Sequence, residues 1–195
     1  MRYFQLDDDK EVRGRWYLAS PLTPDGQEFD PRVFTYARPV DVTGLLRLPL
    51  RRPGRPLDFT MADFAMPVAR RSLAEQIDRL APGTLQRVPV AVEGAAPGDY
   101  EIITVLREVA CVDEAETHVV RWTPEMSLPD MVGKYLYLAN IVIDPAKTDG
   151  ATLFRLAGWK AAIVCTEAVK LGLEARPWSG LRFLPLGTSP SRPAA

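Results

Sequence analysis

An α+β fold, with a mixed, mostly antiparallel sheet and two main helices, is what the sequence predicts. Three observations lead there. Eighteen prolines and 13 glycines in 195 residues cut the chain into short segments joined by many turns. Most of those segments are rich in aromatic and β-branched residues. Only two stretches, 72–80 and 166–175, carry apolar residues at helical spacing.

The opening MRYFQLDDD reads as a short strand ending in an acidic turn, and RGRWYLAS as a second strand closed by the turn residues of PLTPDG. VFTYARPVDVTGLLRLPL gives extended segments broken at Pro39, Gly44 and Pro49. RRPGRP, too rich in proline and glycine for a helix, reads as a loop or hairpin tip. In SLAEQIDRL, Ser72 and Glu75 make a capping box, while Leu73, Ile77 and Leu80 share one face before Pro82 and Gly83 stop the helix. LQRVPVAV is a strand whose Pro89 predicts an edge position. YEIITVLREVACVD reads as one long strand, paired across a turn at DEAE with THVVRW.

The remaining segments follow the same logic. VGKYLYLANIVID, TLFRLAG and AAIV read as strands. TEAVKLGLEA reads as the second helix, with Thr166 as N-cap and Val169 and Leu173 on one face. SGLRFLPL closes the sheet. Residues 1–186 are thus expected to form a single domain, and GTSPSRPAA, 187–195, a disordered tail. The two helical units also align at a constant offset of 96: Leu73 meets Val169, Ile77 meets Leu173, Leu85 meets Leu181 and Pro89 meets Pro185. Either a weak internal repeat or the shared period of any two helix–strand units explains this.

A formal net charge of −1 gives no global attraction to nucleic acid or to anionic lipid. No apolar run reaches the ~18 residues of a membrane helix. Three acids stand where a secretion signal would have its apolar region, so a cytoplasmic location is expected. Two cysteines, Cys111 and Cys165, lie in hydrophobic surroundings without CxxC spacing and read as buried apolar side chains.

CVDEAETHVVRW, 111–122, concentrates reactive residue types, including the one histidine of the chain. A hairpin centred on 114–115 would place Cys111 opposite His118, the first requirement of a thiol–imidazole pair. No glycine-rich elbow or helix N-terminus accompanies them to form an oxyanion hole, so a plain hairpin with an acidic tip is the favoured reading. One histidine cannot complete the usual zinc sets, and Asp7, Asp8 and Asp9 lack calcium-loop spacing, so no metal is expected. No phosphate-binding glycine loop occurs, and no cofactor is expected. Six arginines against two aspartates between 47 and 71 make a modest basic patch. Without interleaved aromatics it fits a protein contact at least as well as a phosphate backbone. Arg51, Arg52 and Arg55, with Trp159 and Trp178 in turns, are therefore the candidate partner-binding residues. The tryptophans have an equal claim to the core.

Four blocks, taken in order, resemble a known family: MRYFQLDDD with GRWYL; PLDFTMADFAMPVARRSLAEQIDRL leading to VPVAV; YEIITVLREVACVDEAETHVVRW; and IVIDPAKTDGATLFRLAGWKAAIVCTEAVK leading to SGLRF. Together they are similar to immunity protein family eleven of bacterial polymorphic toxin systems, over about residues 1–186. The resemblance implies a cytoplasmic, non-enzymatic protein that binds the effector domain of a cognate toxin and neutralises it. It brings no catalytic residues. A nuclease is one class of toxin it leaves open, although the near-neutral charge argues against a strongly basic one. It points to no membrane or nucleic-acid partner, and leaves homo-oligomerisation open. The alternatives are an interaction or nucleic-acid-binding module using the arginine loop and, behind it, a Cys111/His118 enzyme.

Overall fold

A computed structural model describes residues 1–126 and 128–190. The strands in chain order are β1 (Tyr3–Asp8), β2 (Tyr17–Leu18), β3 (Leu46–Leu48), β4 (Leu50–Arg52), β5 (Phe59–Ala62), β6 (Met66–Arg70), β7 (Leu85–Val92) and β8 (Tyr100–Val105). Then come β9 (Glu108–Val109), β10 (His118–Arg121), β11 (Tyr135–Ala139), β12 (Val142–Ile143), β13 (Leu153–Leu156), β14 (Trp159–Thr166), β15 (Leu181–Pro185) and β16 (Gly187–Thr188). The helices are α1 (Arg71–Leu80) and α2 (Glu167–Glu174). The fold is α+β with mixed, mostly antiparallel pairing. The strands divide into two five-stranded sheets, ordered β3-β7-β8-β6-β5 and β15-β1-β14-β13-β9, with three two-stranded pairs beside them.

Each large sheet is built around the same unit. In the first, β6 leads through α1 to β7, and both strands flank β8 antiparallel. In the second, β14 leads through α2 to β15, and both flank β1 antiparallel. The registers agree position by position. Val68 faces Ile102 as Val164 faces Gln5, and Leu85 faces Val105 as Leu181 faces Asp8. The hairpins preceding the helices agree too, since Phe59 faces Ala69 as Leu153 faces Cys165. The offset of 96 is therefore a structural repeat across the strand–helix–strand units, and it falls to 94 in the strand that precedes each of them. Its central strand comes after the unit in one half and from the N-terminus of the chain in the other.

Register matching fixes which side chains meet, because a one-residue slip would turn every side chain to the other face. Phe59, Ala69, Leu73, Ile77 and Ile103 from one half share a buried cluster with their counterparts Leu153, Cys165, Val169, Leu173 and Leu6 from the other. The helices lie against each other there. A side chain on Gly172 would stand 2.5 Å from Leu80 Cδ2, so the Leu80 side chain would have to move to admit one. On its outer face each sheet carries a cluster of its own, one around Trp16, Phe34 and Tyr100, the other around Tyr3, Phe154 and Val164.

Local expectations fared unevenly. Helix α1 starts at Arg71, with Arg70 at the N-cap and no side-chain cap, so Ser72 closes no capping box. Strand β6 runs directly into the helix, and Arg71 N–H is satisfied by the Asp99 carbonyl at 2.7 Å. Thr166 is the N-cap of α2 as read, without a side-chain hydrogen bond. Residues 33–35, expected to be extended, lie in a 3-10 turn, Pro31–Thr35, started by Asp30. The long strand expected over 100–113 breaks after Val105, and β10 pairs with β11 instead of returning along it. Pro89 sits in a strand with neighbours on both sides, but β3 pairs only from Val90 onward, so its missing N–H interrupts no ladder. The expected tail is held at its start. Gly187 and Thr188 pair with β12, and Ser189 donates to the Asp113 carboxylate at 2.5 Å; residues 191–195 lie outside the described residues.

Candidate functional site

The arginine-rich segment is a pinned surface element. Strand β4 pairs with β2, placing Arg52 opposite Tyr17. The chain then passes so close to residues 14–15 that a side chain on Gly54 would fall 2.5 Å from the Arg15 backbone. Alternation does the rest. Trp16 turns inward, fully buried, with its ring centroid 5.2 Å from that of Tyr100, and Tyr17 turns outward. The Arg52 guanidinium lies 4.1 Å from the centre of the Tyr17 ring. Arg15 supports that ring from the interior; it is buried and binds Asp8 at 2.5 Å and Thr60 at 2.6 Å. Arg51, 63% exposed along its side chain, binds Asp63 at 2.6 Å. Arg55 is exposed, and its backbone is fixed by hydrogen bonds to Gly14 and Trp16.

The tip of the β5–β6 hairpin, residues 63–65, continues this face. Phe64 and Ala65 both have positive φ, at 56° and 58°, and Phe64 is 62% exposed. Arg32, from the 3-10 turn, lies over its ring at 5.3 Å. Tyr36, which ends that turn, carries Lys160 at 4.5 Å and Arg38 at 5.5 Å. Beneath, the wholly buried Arg155 donates to the Lys160 carbonyl and to the Phe34 carbonyl, the latter at 3.5 Å. Among the described residues no carboxylate bonds to it, and burial pushes its pKa down to about 10. A cleft of about 330 Å³, lined by Tyr17, Ala65, Ala161, Asp7 and Lys10 among others, joins the two parts. Three partly exposed aromatic rings, each under at least one cation, thus share one face.

The other sequence candidates lie elsewhere. Trp159 opens β14 and packs half-buried on the cluster around Phe154. Trp178 packs half-buried on the cluster shared by the two halves. Cys111 is fully buried, and desolvation drives its thiol up to about 11, the opposite of nucleophile activation. His118 is exposed on β10, opposite Ala139, so the strand pairing that would have joined it to Cys111 does not exist. Glu114 in the acidic turn is held below the usual carboxylate range by hydrogen bonds from Arg121 and Tyr135. Among the described residues, no three His, Cys, Asp or Glu side chains group to hold a metal, and no helix is long and apolar enough to cross a membrane.

The arginines stand out in the sequence by composition; the rings beside them differ in how legible they were. Tyr17 was legible, because Trp16 is the inward residue of an alternating strand. Phe64 was not, because Asp63 is a lone turn former in TMADFAM and nothing there asks for a positive φ at a phenylalanine.

Fold and surface define an α+β protein made of two matched halves, with a face of arginines and aromatic rings set on paired backbone. The model of the immunity protein family (Imm11) matches residues 12–188, and the chain belongs to that family. Comparison with curated proteins gives no match.

Proposed function

We propose that this protein binds the effector domain of a cognate bacterial toxin and neutralises it by occupying or covering its working surface, with no turnover of its own. Family membership across residues 12–188 is the observation that carries the reading. The face bearing Arg51, Arg52, Arg55 and Tyr17 is the proposed contact. Arginine and tyrosine are the residue types that anchor protein interfaces, and here strand pairing sets the backbone of Arg52 and Tyr17 while the Arg52 guanidinium already lies over the Tyr17 ring. A standard interface of about 1,600 Å² would cover this face and its surroundings. The action belongs in the cytoplasm of a bacterium that makes the toxin.

The test is co-expression with the toxin encoded beside this gene. Growth should stop with the toxin alone and resume when this protein is present. Purified effector domain and immunity protein should elute together from a sizing column at a fixed stoichiometry. Continued toxicity, with the two proteins eluting apart, would refute the reading for that pair.

A further inference from the structure

Phe64 is out of place on folding grounds alone. A phenylalanine that is 62% exposed gains little from the core. Its left-handed backbone, shared with Ala65, is one that side-chain-bearing residues adopt at a cost and glycine adopts freely. The matching hairpin of the other half turns through Gly158, at φ 75°. The first half therefore keeps a large apolar ring at its tip where a glycine would relieve strain and leave no apolar side chain in water.

Its surroundings say what would cover the ring. Arg32 lies over it, Arg51 binds the adjacent Asp63, and Arg52, Arg38 and Lys160 lie over the neighbouring rings of Tyr17 and Tyr36. Of these five cations, Arg32 and Arg51 are paired, with Asp30 and Asp63, while in the cleft Asp7 opposes Lys10 and Asp8 is paired with Arg15. Arg38, Arg52 and Lys160 form no ion pair among the described residues, so the charge left unpaired over the three rings is positive. An apolar pocket rimmed by carboxylates complements both features, since the pocket takes the ring and the rim takes the free guanidinium edges.

We propose that Phe64 is the anchor by which this protein engages its toxin, entering an apolar pocket of the effector domain whose rim is acidic. The proposal rests on the immunity reading and names the residue and the partner chemistry within it.

The experiment measures affinity of the full chain for the purified effector domain encoded beside this gene, by titration calorimetry, with melting temperature recorded for every variant. Phe64→Ala and Phe64→Gly should each weaken binding by about 30-fold or more. Phe64→Gly should also melt at or above the wild-type temperature, because it removes backbone strain while deleting the ring. A loss of affinity without loss of stability is the expected signature. Wild-type affinity in both variants overturns the anchor and leaves the immunity reading standing. An effector domain that does not bind the wild-type chain overturns both. A second copy of this chain as occupant would appear in sedimentation as a dimer that Phe64→Gly dissolves while toxin affinity stays constant, and that result also overturns the anchor.

Discussion

Asp58 and Ser179 stand 121 positions apart and hold each other through three hydrogen bonds. The carboxylate accepts from the Ser179 N–H at 2.9 Å and from its hydroxyl at 2.7 Å, while Asp58 N–H donates to the hydroxyl oxygen at 3.0 Å. Arg70 donates to the other carboxylate oxygen at 2.8 Å. The entry to β5 is thereby clasped to the entry to β15, locking one half of the repeat to the other.

The clasp predicts a pH dependence. Burial would raise the Asp58 pKa, but the hydrogen bonds from Ser179 and Arg70 outweigh it and hold the carboxyl below its ordinary value of 3.8. A depressed native value gives stability that is complete above the unfolded pKa and lost as pH falls through the native one. Asp58→Asn should cost about 1–3 kcal/mol at pH 7. The gap to wild type should shrink below about pH 4, near the ordinary carboxylate value. Urea melts at pH 7 and pH 3 check this; a gap of equal size at both would contradict it.

Two glycines in left-handed conformation should respond differently to alanine. At Gly180, φ 82°, a β-carbon would lie 2.2 Å from the Phe59 carbonyl oxygen, whereas at Gly83, φ 71°, it would meet nothing within 4 Å. Gly180→Ala adds overpacking to backbone strain, and about 2–4 kcal/mol of destabilisation is expected. Gly83→Ala carries the strain alone, about 1 kcal/mol. Equal melting temperatures for the two variants would refute the packing argument.

Both thiols should be inert in the native state. Cys111 and Cys165 are wholly buried, and desolvation lifts their pKa values to about 11 and about 12, so the reactive thiolate is suppressed. Alkylation by iodoacetamide at pH 8 should be slow until urea unfolds the chain. Rapid labelling of Cys111 in the native protein would revive a thiol-based activity.

Charge reversal on the arginine face should act mainly on the association rate. Arg52→Glu combined with Arg55→Glu should slow binding to the toxin by about tenfold or more at low salt, with a smaller difference at 0.5 M salt, where exposed charges are screened. Stability should change little, because neither side chain is buried. Stopped-flow mixing at two ionic strengths measures it, and an association rate equal to wild type at low salt would remove this face from the contact.

The halves should unfold together. The cluster containing Leu73, Ile77, Val169 and Leu173 belongs to both, so neither half retains its core alone. Tryptophan fluorescence and far-UV circular dichroism should give coincident urea transitions; two separated transitions would show independent domains.

Much of this was legible in the residues. The apolar spacing of SLAEQIDRL and TEAVKLGLEA determined the helices, because a buried helical stripe must recur every three to four positions wherever the segment lies. The matched units were legible for the same reason, since equivalent positions in equivalent cores demand equivalent side chains. The arginines stood out by composition. What the sequence left open depended on partners far along the chain. That His118 pairs toward Ala139 and away from Cys111, that β1 serves as the central strand of the second half, and that Phe64 stays outside while Phe59 is buried were decided only in three dimensions. Local propensity fixes how a segment is shaped, but strand pairing and exposure are set by which distant surfaces compete to cover it, and that competition is resolved only when the whole chain packs.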